Sequence, residues 1–305
     1  MRREERASLV QREMFFRLLS MAKPPVVVAR AFAQAITDVH FEAGQTIFER
    51  GQPADAMYFI VDGEVSLEAP DEEPWFFTRG GVVGIVDVNL ERPRARTAKA
   101  LSMVHAMKLL GEDWLEILED NFDYAARARR SVANELHKVV LELAPSGGFE
   151  EPPAGDGVDA VPDMNAVARL VVLRSAGAFG SASVQALASV ASLAEVVDVA
   201  AGEPLFGAGE AGEAIHVVAS GIVDLERAEA PVVRAAFGPG TLLGGAASFA
   251  GVLASYRATA RTTATVLRIG FTDLDDVAED HFDLTRSITK RVAIERERLM
   301  VLRSR

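Results

Sequence analysis

Residues 41–67 read FEAGQTIFERGQPADAMYFIVDGEVSL, and residues 199–225 read VAAGEPLFGAGEAGEAIHVVASGIVDL. Laid over each other with a shift of 158, they place Gly44, Gly51 and Gly63 on Gly202, Gly209 and Gly221. The apolar positions follow the same shift: Ile47 with Leu205, Phe48 with Phe206, Phe59 with Val217. A second match lies further on, where LEDNFDYAARARRSVANEL from Leu118 and AEDHFDLTRSITKRVAIER from Ala278 share Glu-Asp-x-Phe-Asp at a shift of 160. Two matches at nearly one offset make the chain a tandem duplication.

Each copy begins with helical periodicity, continues through short alternating apolar runs broken by glycines, and ends in a long charged helix. Residues 57–68, MYFIVDGEVSLE, predict a strand, a tight turn at Asp62-Gly63 and a second strand, because Asp-Gly favours hairpins. Residues 215–225 repeat this with Ser220-Gly221. Many short strands at regular spacing imply a closed roll or sandwich. The closing helices are expected over residues 112–142 and 272–303. The second carries apolar residues at Leu284, Ile288, Val292, Leu299 and Leu302, a stripe that packs on the domain or on another chain. Between the copies, LAPSGGFEEPPAGDGVDAVPDMN at residues 143–165 has the Pro, Gly and acidic content of an exposed linker. The expected organisation is an N-terminal helical segment over 1–30, a first domain over 31–145, a linker over 146–163 and a second domain over 164–305.

The composition fits two cores in one soluble chain. There are 305 residues, 49% hydrophobic and 25% charged. A net charge of −12 argues against a nucleic-acid partner, since such binding rests on clustered Lys and Arg. The absence of cysteine excludes disulfides and thiolate metal sites. The N-terminus is too charged for a signal peptide. Phe237 to Tyr256 is a run of 20 uncharged residues, but its five glycines, proline and two serines speak against a membrane span. The expected setting is cytoplasmic and bacterial, with no membrane.

Three glycines at separations of 7 and 12, followed by a glycine-containing loop ending in Arg-Ala, resemble the cyclic nucleotide-binding domain. This is the module of catabolite activator proteins and of protein kinase A regulatory subunits, and the tandem form resembles the latter. The resemblance implies a mainly β fold with flanking α-helices, namely two tandem eight-stranded jelly rolls. It also implies a phosphate-binding cassette of the form F-G-E-(L)-A-L, a short loop, then P-R-A-A-T. Gly84, Pro93 and Arg94 match that cassette in the first copy, with Thr97 two residues beyond Ala95. In the second copy LLGGAASFAGVLASYRATA matches at Gly244, Ala247, Arg257 and Ala258. In such a cassette a short helix offers backbone N–H groups to a phosphate, glycine permits close approach, and arginine donates charge-assisted hydrogen bonds. The family's glutamate after the glycine, which accepts the ribose hydroxyl bond, is Ile85 in one copy and Gly245 in the other. The resemblance therefore implies weak or lost affinity for cyclic AMP and cyclic GMP.

In the first copy, Gly84, Ile85, Asp87, Arg94 and Ala95 form the candidate site, with Asp87 where a small residue would face the phosphate. One reading is a degenerate site filled by an Asp87–Arg94 pair. The other is a working phosphate site helped by Arg92 and Arg96, which are otherwise solvated surface charges. In the second copy the candidates are Gly244, Gly245, Ala246, Ala247, Arg257 and Ala258, in a longer loop with no acid between Leu243 and Tyr256. There a cyclic nucleotide or other phosphate-bearing or nucleoside-like ligand is expected, unless Glu210 or Glu213 pairs with Arg257. Tyr256 and Trp75 are either base-stacking groups or packing residues.

Catalysis finds no support: there is no HExxH, no GxSxG elbow and no Walker loop, and His216 stands alone on its apolar strand. The charge and the closing helix leave no place for a recognition helix. RREERASL, residues 2–9, has its arginines too far from Ser8 for a kinase-inhibitor segment. The expectation is a non-catalytic regulatory protein with an unidentified protein partner and possible homodimerisation through the C-terminal helix. Either the second domain senses a ligand, or both domains are ligand-free scaffolds.

Overall fold

The computed structural model of the chain describes residues 3–19, 23–143, 164–227 and 233–303. The linker expected over 146–163 lies outside them. The chain separates into two compact units, 1–128 and 129–305.

In the first unit, helices α1 (Arg3–Leu19) and α2 (Val26–Ala35) precede eight described strands. These are β1 (Thr37–Phe41), β2 (Thr46–Phe48), β3 (Ala56–Asp62), β4 (Val65–Glu68), β5 (Trp75–Phe77), β6 (Val82–Val83), β7 (Thr97–Ala100) and β8 (Val104–Leu110). They form two antiparallel sheets, ordered β1-β8-β3-β6 and β2-β7-β4-β5. Helix α3 (Ile85–Leu90) interrupts the strands between β6 and β7.

The second unit repeats the plan. After α6 (Ala166–Ser175) and α7 (Val184–Leu193) come β9 (Glu195–Val199), β10 (Pro204–Phe206), β11 (Ala214–Ser220), β12 (Val223–Arg227), β13 (Val233–Phe237), β14 (Leu242–Leu243), β15 (Arg257–Ala260) and β16 (Ala264–Gly270). The sheets are β14-β11-β16-β9 and β10-β15-β12-β13, with α8 (Gly245–Ala250) in the place of α3. Both units are jelly rolls, as the resemblance implies.

Alternation along the strands explains the closure. Val65 and Leu67 face inward to join Phe48, Tyr58, Ile60, Val83 and Ala98 in one roll's core. Val223, Leu225, Phe237, Tyr256 and Ala258 do the same in the other. A second core in the first unit packs Phe16, Phe32, Trp114 and Tyr124 between helices and sheet.

Two expectations are corrected. The Asp62-Gly63 turn is present, but β3 and β4 do not pair; they belong to different sheets. Gly63 has φ 95°, and a Cβ there would lie 2.9 Å from the Cα of Val104. The glycine turns a corner between sheets that packs tightly on the start of β8, so it does not close a hairpin. The closing helices are also each broken in two. In the first unit the break lies between α4 (Gly111–Glu119) and α5 (Phe122–Leu143), where the Asn121 side chain donates to the Ile117 carbonyl at 2.8 Å. In the second it falls at His281, φ −130°, between α9 (Phe271–Asp280) and α10 (Phe282–Arg303). Leu284, Ile288, Val292 and Leu299 of α10 are buried within the chain, as the packing reading of that stripe expects.

Helix α5 begins in the first unit, and its residues 129–143 belong to the second. There Arg129 pairs with Asp275 of α9, Asn134 donates to the Ala250 carbonyl at 3.4 Å, and Arg227 donates to the Val140 carbonyl at 3.3 Å. These bonds seat residues 129–143 of α5 against α9, α8 and β12.

Candidate functional site

The strand register fixes which residues correspond between the rolls. Val65 and Leu67 face Ala100 and Ala98, whereas Val223 and Leu225 face Ala260 and Ala258. Thr97 therefore corresponds to Arg257, Arg96 to Tyr256, and Arg94 to Ala254. Loop hydrogen bonds agree: Gly51 N donates to Arg94 O at 2.9 Å, and Gly209 N donates to Ala254 O at 2.8 Å. The two loops are thus equal in length. Arg257 lies on strand β15, exposed, across from Glu226 in the ladder, and does not stand where Arg94 stands. Among the described residues no hydrogen bond or ion pair links Arg257 to the Gly244–Ala247 helix start. Ala258, which follows Arg257, is a core residue.

In the first roll, α3 starts at Gly84, φ 86°. A Cβ at Gly84 would approach the Arg94 guanidinium to 2.5 Å, so the glycine makes room for the arginine. Arg94 is only 2% exposed. It donates through Nη1 to the Gly84 carbonyl at 3.0 Å and through Nη2 to the Ala56 carbonyl, with its guanidinium carbon 4.1 Å from the Phe48 ring centre. Its Nε has no hydrogen-bond partner among the described residues. Burial pushes its pKa below the usual arginine value, opposed first by the charge of Asp87 and then by Tyr58 and Asp55.

The expected Asp87–Arg94 pair does not form. Asp87 accepts from Arg92 Nε at 2.8 Å and from the Ala95 backbone N–H at 3.3 Å. The reason is geometric: Arg94 turns inward to two backbone carbonyls, leaving the carboxylate on α3 to Arg92 and the Ala95 backbone. Ile85, next to Gly84, has no carboxylate to offer a ribose.

Arg92 and Arg96 are not free surface charges either. Arg96 is 8% exposed and donates to the Glu73 carbonyl at 3.0 Å and the Leu67 carbonyl at 3.3 Å. It also pairs with Glu72 and lies 4.0 Å over the Trp75 ring. Trp75 thus stacks on an arginine of its own chain.

The second roll solves the same packing problem without an arginine. The Ala214 carbonyl, counterpart of Ala56, accepts from Ser248 Oγ at 3.1 Å. Gly244 N–H donates to the Tyr256 hydroxyl at 3.1 Å, with Tyr256 only 2% exposed. Gly245, Ala246 and Ala247 are buried with the rest of α8, so their small size serves close packing. Phe206 lies 5.5 Å from the His216 ring and 5.7 Å from the Tyr256 ring. His216 is buried, its Nδ1 has no hydrogen-bond partner among the described residues, and burial, then the charge of Arg268, lowers its pKa to about 4. The cavity beside α8 holds about 20 Å³, between Leu136 of α5, Leu242, Phe249 and Val292 of α10. A larger open groove of about 530 Å³ in the first roll runs past Thr46, Glu49, Thr97 and Lys99, and no candidate residue lines it.

Sequence reasoning missed Ala254, Ser248 and the inward roles of Arg96 and Tyr256. The signal for Ala254 was present: counting the same number of residues from Gly244 as separates Gly84 from Arg94 reaches Ala254.

Among the described residues no group of His, Asp or Glu is placed to hold a metal, and no helix is long and apolar enough to cross a membrane. The sequence profile of the cyclic nucleotide-binding domain matches residues 38–121 and 196–281. A putative potassium channel protein of Rhodopseudomonas palustris is 37% identical over 103 residues, covering 32% of this chain and 23% of that one. The cAMP-dependent protein kinase regulatory subunit of Emericella nidulans is 34% identical over 95 residues, covering 30% and 22%. A CRP-like cAMP-activated global transcriptional regulator of Mycobacterium tuberculosis is 28% identical over 119 residues, covering 37% and 53%. The chain thus spans from about a fifth to about half the length of these curated relatives. Among solved structures, the regulatory domain of Toxoplasma gondii PKA with cAMP aligns at TM-score 0.36 and 15% identity, covering 90% of this chain and 94% of that one.

Proposed function

The chain belongs to the cyclic nucleotide-binding domain family, and from that premise we propose that it is a non-catalytic regulatory protein working through protein contacts, with both nucleotide cassettes filled by its own side chains. The observation that carries this reading is the pair Arg96 and Tyr256. Where the family motif P-R-A-A-T has its second alanine, each roll turns a large side chain inward and buries it. For the second roll, a nucleotide needs a cleft of some hundreds of Å³, and the space beside α8 is about 20 Å³. Three further features support the same reading. The ribose-accepting carboxylate is absent at Ile85 and Gly245, Ala254 replaces the arginine of the second roll, and Asp87 brings a negative charge into the first.

Ligand sensing at the second roll has less support, because Arg257 lies exposed on β15, away from the residues it would have to help. The partner is an unidentified protein, met in the cytoplasm. The apolar stripe of α10 is buried in the chain itself, so a homodimer would use another face.

Calorimetric titration of the full chain with cyclic AMP and cyclic GMP tests the proposal. The expected result is no binding heat from either. Micromolar binding that disappears in Arg94→Ala or Arg257→Ala would establish a working sensor instead.

A further inference from the structure

We infer that the chain forms a homodimer by antiparallel pairing of strand β5 with the same strand of a second copy, with Phe76 on the two-fold axis. Strand β5 ends its sheet and pairs with β4 alone among the described residues. An uncovered edge strand presents unpaired backbone groups to another chain. This edge also carries Trp75, 43% exposed, and Phe76, 67% exposed, and large aromatics are the usual anchors of interfaces. Phe77 packs on the core of the roll, so by alternation Phe76 points to the outer face. The stretch is held in place before any partner arrives. Arg96 donates to the Leu67 and Glu73 carbonyls, pairs with Glu72 and lies over the Trp75 ring. A segment fixed in this way loses little conformational freedom on docking.

The second roll shows that the fold requires none of this. Phe77 faces Val65 and Phe237 faces Val223, so Trp75 and Phe76 correspond to Ala235 and Ala236, Glu73 to Val233, and Arg79 to Pro239. Exposed aromatics and charges thus stand in the first roll where its duplicate has small or apolar residues. Charge selects a second copy as the occupant. When Phe76 lies opposite the partner's Phe76 in antiparallel pairing, Trp75 meets the partner's Phe77, Pro74 the partner's Thr78, and Glu73 the partner's Arg79, each twice by symmetry. Glu73 and Arg79 are both exposed. Parallel pairing would instead set Asp71, Glu72 and Glu73 against their own copies. Strand β5 is three residues long, so the contact is small and the dimer belongs to the weak, reversible class.

Sedimentation velocity of the full chain from about 1 to about 200 μM is the test, a range in which small interfaces associate. The wild type should pass reversibly from monomer to dimer. Phe76→Glu sets two like charges on the axis and should weaken association at least about tenfold. Glu73→Arg and Arg79→Glu should each weaken it about threefold or more, and the two together should restore it to within about twofold of wild type. If Phe76→Glu does not fold, Phe76→Ala decides alone, because alanine already occupies that place in the second roll at Ala236. A wild type that stays monomeric throughout overturns the inference, as does a dimer that the Phe76 variants leave intact, or a charge swap that fails to restore association. The inference does not depend on the proposed function: binding of cyclic AMP would overturn that reading and leave this test unchanged.

Discussion

Tyr256→Ala should destabilise the second roll by about 3–5 kcal/mol, the usual cost of truncating a buried aromatic to alanine. The side chain is 2% exposed and packs in one cluster with Leu225, Phe237, Leu243 and Ala258. Tyr256→Phe separates packing from hydrogen bonding. It keeps the ring and leaves the buried Gly244 N–H without its 3.1 Å acceptor, for an expected cost of about 1–3 kcal/mol. Denaturant unfolding followed by far-ultraviolet circular dichroism gives both numbers. Both tryptophans, Trp75 and Trp114, lie in the first unit, so their fluorescence reports on that unit and helps locate the loss. A change under about 1 kcal/mol for Tyr256→Ala would mean that the ring does not fill the roll, and the self-filled cassette would lose its main support.

Acid should weaken the second roll through His216. In the fold its pKa falls from 6.5 to about 4, first because burial penalises the imidazolium and then because Arg268 repels it. The unfolded chain takes up that proton from about pH 6.5 downward while the folded chain stays neutral. Stability from this residue is therefore complete above pH 6.5 and is lost as pH falls towards 4. The loss is about 3 kcal/mol, because each pH step between the unfolded and folded pKa is worth roughly 1.4 kcal/mol. His216→Phe keeps an aromatic ring against Phe206 and removes the titration. The stability difference between wild type and variant should be flat above pH 7 and should swing towards the variant between pH 6.5 and 4. Parallel curves across that window would show that the imidazole is hydrated in the fold. Burial pushes the Asp38 carboxyl up, but His105 and Arg12 together hold it below the usual carboxylate range. It titrates in both proteins and cancels from the comparison.

The repeated dipeptide Arg-Ala shows where sequence reading stops. It occurs at Arg94-Ala95 and again at Arg257-Ala258, and matching the two draws the second loop out by three residues. Residue chemistry favours that match, but backbone geometry forbids it. Gly209 and Glu210 bond to Ala254 as Gly51 and Gln52 bond to Arg94, and a ladder cannot slip by three without moving inward side chains outward. The same limit applies to Asp62-Gly63. Its local preference gave the turn correctly, while the choice of which strands pair depended on contacts with β8, far along the chain.

The sequence alone determined the duplication, the family, the jelly-roll architecture and the loss of the ribose-accepting carboxylate. Each is written in residue type at fixed spacing: glycines where φ must be positive, apolar residues at alternate positions, and Ile85 and Gly245 where a glutamate would stand. Only the tertiary structure decided which partners the cassette side chains take. Arg94 meets Gly84 and Ala56 rather than Asp87, Ser248 replaces it at the Ala214 carbonyl, and Arg96 and Tyr256 turn inward. A buried polar group takes whichever partner the packed backbone places within about 3 Å, and that placement arises only when strands distant in sequence are brought side by side.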